Sequence, residues 1–225
     1  MAIPEAMNRN ELGHSIEAAC LEFEQEPMDD YYKKRIVGYP SRLRVSRIIR
    51  ELGDIRGKKI LDAGCEAGYV SLRLHEKGAV VIPFDICLPA IRDFQKKLGS
   101  RNIGSIKPLY ALAHSIPLRD NSVDGIVCTE VIEHMPDLDA VFGEFRRVLR
   151  PGGKIVVTFP NERLRKLLYP IARLAGVNTD VEKDVTLFSY SLSDIKSRLG
   201  RHFRISGAYS LPWYFPVTRL VVCRK

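Results

Sequence analysis

A strand, a glycine turn and a helix follow one another at residues 59–74, KILDAGCEAGYVSLRL, and this order constrains the fold more than any other feature. A short apolar run leads to Asp62, and Gly64 and Gly68 then permit a tight turn because glycine has no Cβ. Apolar residues at helical spacing follow the turn. The segment predicts the opening of a βαβ unit, in which the first turn of the helix directs free N–H groups at a ligand.

The turn differs from two common phosphate-binding motifs. Gly64 and Gly68 are four residues apart with Glu66 between them, so the dinucleotide pattern G-x-G-x-x-G is not matched. No Gly-Lys-Ser/Thr follows the turn, which excludes a P-loop. A carboxylate at Glu66 repels a pyrophosphate docked on the helix N-terminus, which disfavours an NAD-dependent oxidoreductase. An adenosine ligand without phosphate, such as S-adenosylmethionine, avoids that repulsion.

Three motifs resemble those of a known family. Residues 62–68, DAGCEAG, resemble the D-x-G-x-G-x-G pattern of the class I S-adenosylmethionine-dependent methyltransferases, with Glu66 as a departure. Residues 113–137, AHSIPLRDNSVDGIVCTEVIEHMPD, are similar to a signature of the methyltransferase type 11 subfamily, which includes quinone-ring methylases. A third match, RVLRPGGKIVVTFPN, covers 147–161. Together the resemblance extends over roughly residues 60–225.

The resemblance implies an α/β fold with a Rossmann-like, doubly wound, seven-stranded and mostly parallel sheet that has an antiparallel C-terminal strand. The whole chain, 1–225, is expected to form a single methyltransferase domain, with N-terminal covering helices in 1–56 and a cofactor-binding core in 57–225. Within the core, 162–186 is a candidate substrate lid. Apolar and basic residues share its first part at helical spacing, which also fits a membrane-surface helix or a helix packed on the sheet.

Local patterns predict individual elements along the chain. Helical periodicity ahead of the turn predicts helices at 11–25 and 41–53. A third strand is expected at 105–110, and Pro151-Gly152-Gly153 is expected to form a tight turn before the fifth strand.

A second apolar run ends at Asp85, and 85 − 62 gives 23 residues from Asp62. This is close to the spacing of about 20 residues expected of an acid that binds ribose hydroxyls. Asp85 is also a good helix N-cap, and the two roles are compatible. Ile86, directly after the acid, is a candidate for contact with the adenine face.

The motifs and strand ends give a set of candidate cofactor-binding residues: Asp62, Gly64, Cys65, Gly68, Asp85, Ile86, Ala113, His114 and Glu130. In the resembled family an aspartate often binds adenine where this chain has Leu112, so Ala113 and His114 take that place in the prediction. Glu130 is expected to orient the methionine end of the cofactor. No metal site is predicted.

His134 is the candidate catalytic residue, as a general base, because its unperturbed pKa is near neutral. The alternative is a histidine at the start of a helix that is bonded to the backbone. A base is needed only where the acceptor atom must lose a proton, because the methyl group of S-adenosylmethionine is already activated. The expected product of the cofactor is S-adenosylhomocysteine.

Charge and cysteine usage bear on partners and location. The chain has 35 basic and 27 acidic residues, a net charge of +8, which favours anionic partners such as RNA, anionic lipid or a phosphorylated metabolite. Its five cysteines are scattered and form no C-x-x-C, which indicates reduced thiols in a cytoplasmic protein. The sequence shows neither a membrane-spanning apolar run nor a signal peptide pattern.

The expected function is methyl transfer from S-adenosylmethionine to a small-molecule or lipid-like acceptor by in-line displacement. The motif Asn-Pro-Pro-Tyr and a Pro-Cys nucleophile are both absent, which counts against nucleobase methylation. Two alternatives stay open, an RNA methyltransferase and a binding protein that keeps the fold without catalysis. The sequence makes no prediction of the oligomeric state.

Overall fold

Seven strands form one sheet with the order β3-β2-β1-β4-β5-β7-β6. The computed structural model describes residues 20, 23, 38–167, 188–212 and 216–225. The strands are β1 (Lys59–Ala63), β2 (Val80–Asp85), β3 (Leu109–Tyr110), β4 (Val123–Thr129), β5 (Leu149–Pro160), β6 (Arg204–Leu211) and β7 (Thr218–Arg224). All neighbouring pairs from β3 to β5 are parallel, whereas β7 is antiparallel to both β5 and β6. The predicted seven-stranded, mostly parallel sheet is confirmed.

Helices cover both faces of the sheet. They are α1 (Tyr39–Leu52), α2 (Tyr69–Glu76), α3 (Leu88–Ser100), α4 (Leu138–Val148) and α5 (Leu192–His202). The apolar sides of α1 and α2 pack in one core cluster, and those of α4 and α5 pack in another. The central strands are buried on both faces and therefore read as continuous apolar runs. None of the helices in the described ranges is long and apolar enough to cross a membrane.

The structure departs from two of the local predictions. Strand β3 has two residues instead of the six predicted at 105–110. Pro108 lacks an N–H, and Ile106 packs in an apolar cluster with α3 instead of extending the strand. The turn at 151–153 lies within β5 as an irregularity, and Gly152 has φ 76°, as position i+2 of a type II turn requires.

The two predicted N-terminal helices differ in how much of them is described. The one predicted at 41–53 is α1, and it begins two residues earlier, at Tyr39. The one predicted at 11–25 lies outside the described residues except for Cys20 and Phe23, which are both helical.

Strand β1 lies between β2 and β4, and this position determines where a ligand can bind. The chain moves from β1 outward to β2 and β3, and then returns past β1 to β4. At such a switch point the loops after neighbouring strands diverge, leaving a crevice beyond the carboxyl ends of the strands.

Candidate active site

A pocket opens at this crevice, beyond the carboxyl ends of β1, β2 and β4. It encloses about 1240 Å³ of empty space, which includes open solvent at its mouth. Most of the candidate cofactor-binding residues line it: Gly64, Cys65, Asp85, Ile86, Ala113, His114 and Glu130. His134 lines the pocket as well. The fold thus brings together side chains that the sequence places in four separate segments.

Asp62 and Gly68 are the two candidates that do not line the pocket. Asp62 is 1% exposed, and its Oδ2 accepts a hydrogen bond of 2.6 Å from Ser71 Oγ of α2. Within the described ranges its Oδ1 has no hydrogen-bond partner. Burial raises the pKa of Asp62 to about 7, opposed by the Ser71 hydrogen bond and reinforced by the charge of Asp85. The hydrogen bond between Asp62 and Ser71 therefore connects the end of β1 to α2.

The two glycines of the turn are required by what packs against them. Gly64 and Gly68 have φ 73° and 86°, a backbone conformation that disfavours L side chains. A Cβ at Gly68 would lie 2.1 Å from Cε2 of Phe94 in α3, so this glycine allows α3 to pack against the turn. A Cβ at Gly64 would lie 2.4 Å from Cγ2 of Val131, which lines the pocket.

Asp85 is buried at the end of β2 and lines the pocket. Its Oδ2 accepts from the Glu66 N–H at 2.7 Å, and its Oδ1 accepts from the Cys87 N–H at 2.8 Å. Burial raises the pKa of Asp85, and these backbone hydrogen bonds act in the opposite direction. Cys87, not Asp85, occupies the N-cap position of α3. Each oxygen of Asp85 retains acceptor capacity toward a ligand.

A wall of the pocket follows β3, where Leu112, Ala113 and His114 all face the cavity. His114 Nε2 is buried without a hydrogen-bond partner in the described part of the chain. Ile86 lines the pocket after β2, the strand next to β3. This wall combines apolar surface with one polar ring atom that remains available to a ligand.

Arg147 and Glu144 of α4 hold the chain that follows this wall. The two terminal guanidinium nitrogens of Arg147, Nη1 and Nη2, donate to the backbone oxygens of Leu118 and Ile116, at 2.8 and 3.0 Å. Glu144 accepts from the Ile116 N–H at 2.8 Å and pairs with Arg147 at 2.7 Å. Helix α4 therefore determines the path of the loop that carries His114.

Glu130 follows β4 with φ 54°, and its N–H donates to the Thr158 oxygen of β5 at 3.1 Å. Its Oε2 lies 3.3 Å from Arg44 Nη1 and 3.9 Å from Arg165 Nη1. Its Oε1 is buried and has no hydrogen-bond partner among the described residues. One carboxylate oxygen thus holds two arginines, while the other is left for a ligand.

Arg44 is a charged pocket residue that the sequence prediction missed. It is 4% exposed on α1 and lines the pocket beside Glu130. Arg44 precedes the fully buried Ile48 by four residues, so both side chains lie on the inner face of α1. This spacing indicates burial of Arg44, but arginine is almost never buried unless it is paired. The partner, Glu130, is 86 residues away in the sequence, so no local pattern indicates the pair.

His134 ends a short 3-10 turn, Ile132–His134, and lines the pocket. Its N–H donates to the Val131 oxygen at 3.0 Å, so the backbone is held by the turn itself. Burial raises the pKa of the Asp85 carboxyl, and a charge on His134 acts in the opposite direction. The geometry is compatible with a base and also with a structural histidine.

The Cys65 thiol in the pocket is not poised to act as a nucleophile. Burial raises the pKa of Cys65 well above its usual value, which keeps this thiol protonated. In the part of the chain that the structure describes, no group of three or more His, Cys, Asp or Glu side chains converges as metal ligands do.

A family model described as a methyltransferase domain matches residues 61–157, from β1 to β5. This span supplies the glycine turn, Asp85, the wall after β3 and Glu130. The chain carries a methyltransferase domain. The family resemblance predicted from the three motifs is confirmed, and the predicted cofactor, S-adenosylmethionine, is the one that such domains use.

Curated relatives of the methyltransferase domain include two O-methyltransferases. The malonyl-[acyl-carrier protein] O-methyltransferase of Hamiltonella defensa is 32% identical over 49% of this chain and 41% of its own length. The ubiquinone biosynthesis O-methyltransferase of Leptothrix cholodnii is 28% identical over 57% of this chain and 55% of its own length. The chain therefore spans about half the length of the curated relatives it matches.

A solved structure extends the likeness to nearly the whole chain. Magnesium protoporphyrin IX methyltransferase from Synechocystis, crystallised with bound S-adenosylhomocysteine, superposes with a TM-score of 0.71 over 94% of this chain and 99% of its own. The sequence identity is 17%, so the comparison shows the shared fold.

Proposed function

We propose that this protein is a methyltransferase that moves the methyl group of S-adenosylmethionine to a small-molecule or lipid-like acceptor. The observation that carries the proposal is the pocket at the switch point, where Asp85, His114 and Glu130 converge from different strands. Two buried polar atoms in this pocket, Glu130 Oε1 and His114 Nε2, lack partners among the described residues. Such atoms cost free energy unless a polar ligand bonds them.

The pocket residues fit the groups of S-adenosylmethionine by their chemistry. The Asp85 carboxylate suits the two ribose hydroxyls, and Ile86 with the wall after β3 suits adenine. Glu130 Oε1 suits the ammonium group of the methionine end, and the Arg44 guanidinium beside it suits the carboxylate. The Arg44–Glu130 pair thus presents both charges that an amino acid group requires.

S-adenosylmethionine supplies a methyl group that its sulfonium has already activated. The protein's own task is to align the acceptor with that group and to exclude water. His134 removes a proton only when the acceptor is a neutral hydroxyl or a similar group. A carboxylate acceptor is already ionised and needs no base.

The relatives support an oxygen atom as the methyl acceptor in this protein. Both curated relatives named above are O-methyltransferases, and their names give a malonyl-[acyl-carrier protein] and ubiquinone biosynthesis as their contexts. These acceptors differ in size, while an oxygen nucleophile is common to both. We therefore extend the proposal to O-methylation.

The experiment is methyl transfer from methyl-labelled S-adenosylmethionine to a panel of phenols, carboxylic acids, amines and RNA. The proposal expects labelled O-methyl product and an equal amount of S-adenosylhomocysteine from a phenol or an acid. Label that appears in RNA or only on amines contradicts it. Cofactor binding without transfer to any acceptor supports the non-catalytic alternative instead.

A further inference from the structure

Glu66 has a backbone conformation that glycine adopts more readily. It lies in the turn between β1 and α2 with φ 45°, in the left-handed region that disfavours L side chains. The pattern D-x-G-x-G-x-G has glycine at this place, so the glutamate adds strain to a turn that glycine would form freely. A strained residue at a ligand pocket is a candidate for a functional role.

A backbone contact holds Glu66 beside Asp85 in the pocket. The Glu66 N–H donates to Asp85 Oδ2 at 2.7 Å, and both residues line the pocket. Cys65, the preceding residue, lines the pocket as well. Burial, and then the charges of Asp85, Asp62 and Glu66, raise the pKa of the Cys65 thiol. The Glu66 carboxylate therefore acts on the same part of the pocket as Asp85.

The charged residues that line the pocket are mostly acidic. Among the described residues they are Glu66, Asp85, Glu130 and Asp137, against Arg44. Glu130 is paired with Arg44 at 3.3 Å, and Asp137 caps the start of α4, where the helix dipole favours negative charge. The other two carboxyls, Glu66 and Asp85, lie together on the side of the glycine turn. A positively charged ligand group is favoured there.

The sulfur atom of the cofactor belongs on this side of the pocket. In the proposed function the ribose hydroxyls bind Asp85, and the sulfur is attached to the C5′ carbon of the same ribose. A ligand bound to Asp85 therefore brings its sulfur toward the turn that carries Glu66. Opposite charges attract more strongly in a partly buried site than in water. The sulfur is a positive sulfonium in S-adenosylmethionine and a neutral thioether in S-adenosylhomocysteine.

We propose that Glu66 is a specificity residue that makes the pocket bind S-adenosylmethionine more tightly than S-adenosylhomocysteine. The inference deepens the proposed function and rests on it. The carboxylate attracts the sulfonium and has no such attraction for the thioether, while the other groups of the two ligands are the same apart from the transferred methyl. The product therefore leaves the pocket more readily and competes less with the next molecule of the methyl donor.

The test compares three ligands by calorimetry on the full chain. They are S-adenosylmethionine, S-adenosylhomocysteine and sinefungin, which carries a protonated amine in place of the methyl sulfonium. We expect both cationic ligands to bind the unmodified protein roughly fivefold or more tightly than S-adenosylhomocysteine. Equal binding of all three ligands overturns the proposal. Tighter binding of S-adenosylmethionine alone would assign the difference to its methyl group and overturn the proposal as well.

Two variants assign the preference to the carboxylate. Glu66→Gln removes the charge and keeps the size of the side chain, and Glu66→Gly introduces the residue of the family pattern. In both variants the three affinities should agree within about twofold, because the loss falls on the cationic ligands. A preference that persists in both variants overturns the proposal.

The matched control is Glu76→Gln, which makes the same charge change on α2. Glu76 lies outside the pocket lining and pairs with Arg73 at 2.7 Å on the protein surface. The preference for cationic ligands should remain in this variant. An equal loss in Glu76→Gln and Glu66→Gln would show a general charge effect and overturn the assignment to Glu66.

The outcomes separate this inference from the function on which it rests. Failure of the unmodified protein to bind any of the three ligands counts against the proposed function, and the role of Glu66 falls with it. Equal and intact binding of S-adenosylmethionine and S-adenosylhomocysteine counts against the role of Glu66 alone, because methyl transfer does not require the pocket to discriminate between them.

Discussion

At the scale of single residues, two carboxyls are buried at the ends of neighbouring strands, Asp85 in the pocket wall and Asp62 outside the pocket. Asp62 is 1% exposed and Asp85 7% exposed, and each raises the pKa of a neighbouring group. Asp85 is stabilised by two backbone N–H groups, whereas Asp62 has one hydroxyl donor. Burial nevertheless raises the pKa of both carboxyls.

Asp62 makes the free protein less stable as the pH rises. The unfolded carboxyl ionises near 3.8, while the folded one keeps its proton up to about 7, so the folded state holds the extra proton between these values. Over that window the contribution falls by up to about 1.4 kcal/mol per pH unit. We expect Asp62→Asn to flatten the decline, as measured by urea unfolding of the free protein from pH 4 to 8. Identical pH profiles for the two proteins would contradict this.

The need for His134 as a general base depends on whether the acceptor is a neutral hydroxyl or is already ionised. His134→Gln should leave S-adenosylhomocysteine affinity within about twofold, because neutral glutamine keeps the polar character of the position. With a phenol acceptor kcat should fall roughly 100-fold, which is the lower part of the range for general base catalysis. Steady-state kinetics with the labelled cofactor measure both quantities. An unchanged kcat on a phenol removes His134 from the catalytic residues.

Sequence patterns locate Asp85 and Glu130, which lie at or after strand ends, and miss Arg44, which comes from a covering helix. Asp85 and Glu130 were predicted because strand ends are recognisable from apolar runs. Arg44 was missed because its burial depends on Glu130, a partner that no local pattern indicates. Asp62 and Gly68 were assigned to the cofactor, but the structure gives Asp62 a contact with Ser71 and packs Gly68 against α3.

At the scale of elements, the turn after β1 fixes how α2 and α3 pack together. Gly68 has φ 86°, and the ring of Phe94 fills the space where a Cβ would project. Phe94 is fully buried in the cluster shared by α2 and α3. One glycine therefore controls the entry to α2 and its contact with α3.

Gly68→Ala should destabilise the protein by about 2–3 kcal/mol, because overpacking and a strained φ act together. Gly99→Ala is the matched control, since Gly99 lies in α3 with open space around its Cβ position. There, alanine should stabilise by roughly 0.5–1 kcal/mol, because it lowers the entropy of the unfolded chain. Chemical unfolding of both variants measures the difference. Equal stabilities for the two variants would contradict the packing argument.

The contacts of Arg147 in α4 with the loop after β3 give a second prediction at this scale. Arg147→Lys loses the fork that holds the oxygens of Ile116 and Leu118, so the wall that carries His114 should loosen. We expect S-adenosylhomocysteine to bind roughly threefold to tenfold more weakly, the effect of losing about one hydrogen bond. Arg150→Lys is the control, because Arg150 pairs with Asp124, away from the pocket wall. Equal losses in titrations of both variants would argue against a positioning role.

Most elements could be predicted because buried parallel strands and capped helices leave strong local signals. Strand β3 was predicted too long because its length depends on pairing with Phe84 and Asp85 alone. The irregularity within β5 was predicted as a turn because the Pro-Gly pair is visible in the sequence, whereas the pairing of Leu149 with Val123 is not.

At the scale of the whole molecule, the strand order places the pocket where β1 separates β2 from β4. The candidate cofactor residues lie on the β2 and β4 sides of this point. The domain organisation over 1–225 and the lid at 162–186 stay predictions, since part of each falls outside the described residues. We propose that this pocket binds S-adenosylmethionine through Asp85.

Calorimetric titration with S-adenosylmethionine, S-adenosylhomocysteine and NAD tests that claim most directly. We predict micromolar binding of both sulfur ligands and no binding of NAD. Asp85→Asn should weaken S-adenosylhomocysteine binding by about 1.5–3 kcal/mol, the range for a hydrogen bond to a charged group. Binding of NAD, no binding of either sulfur ligand, or unchanged affinity in Asp85→Asn would contradict the account.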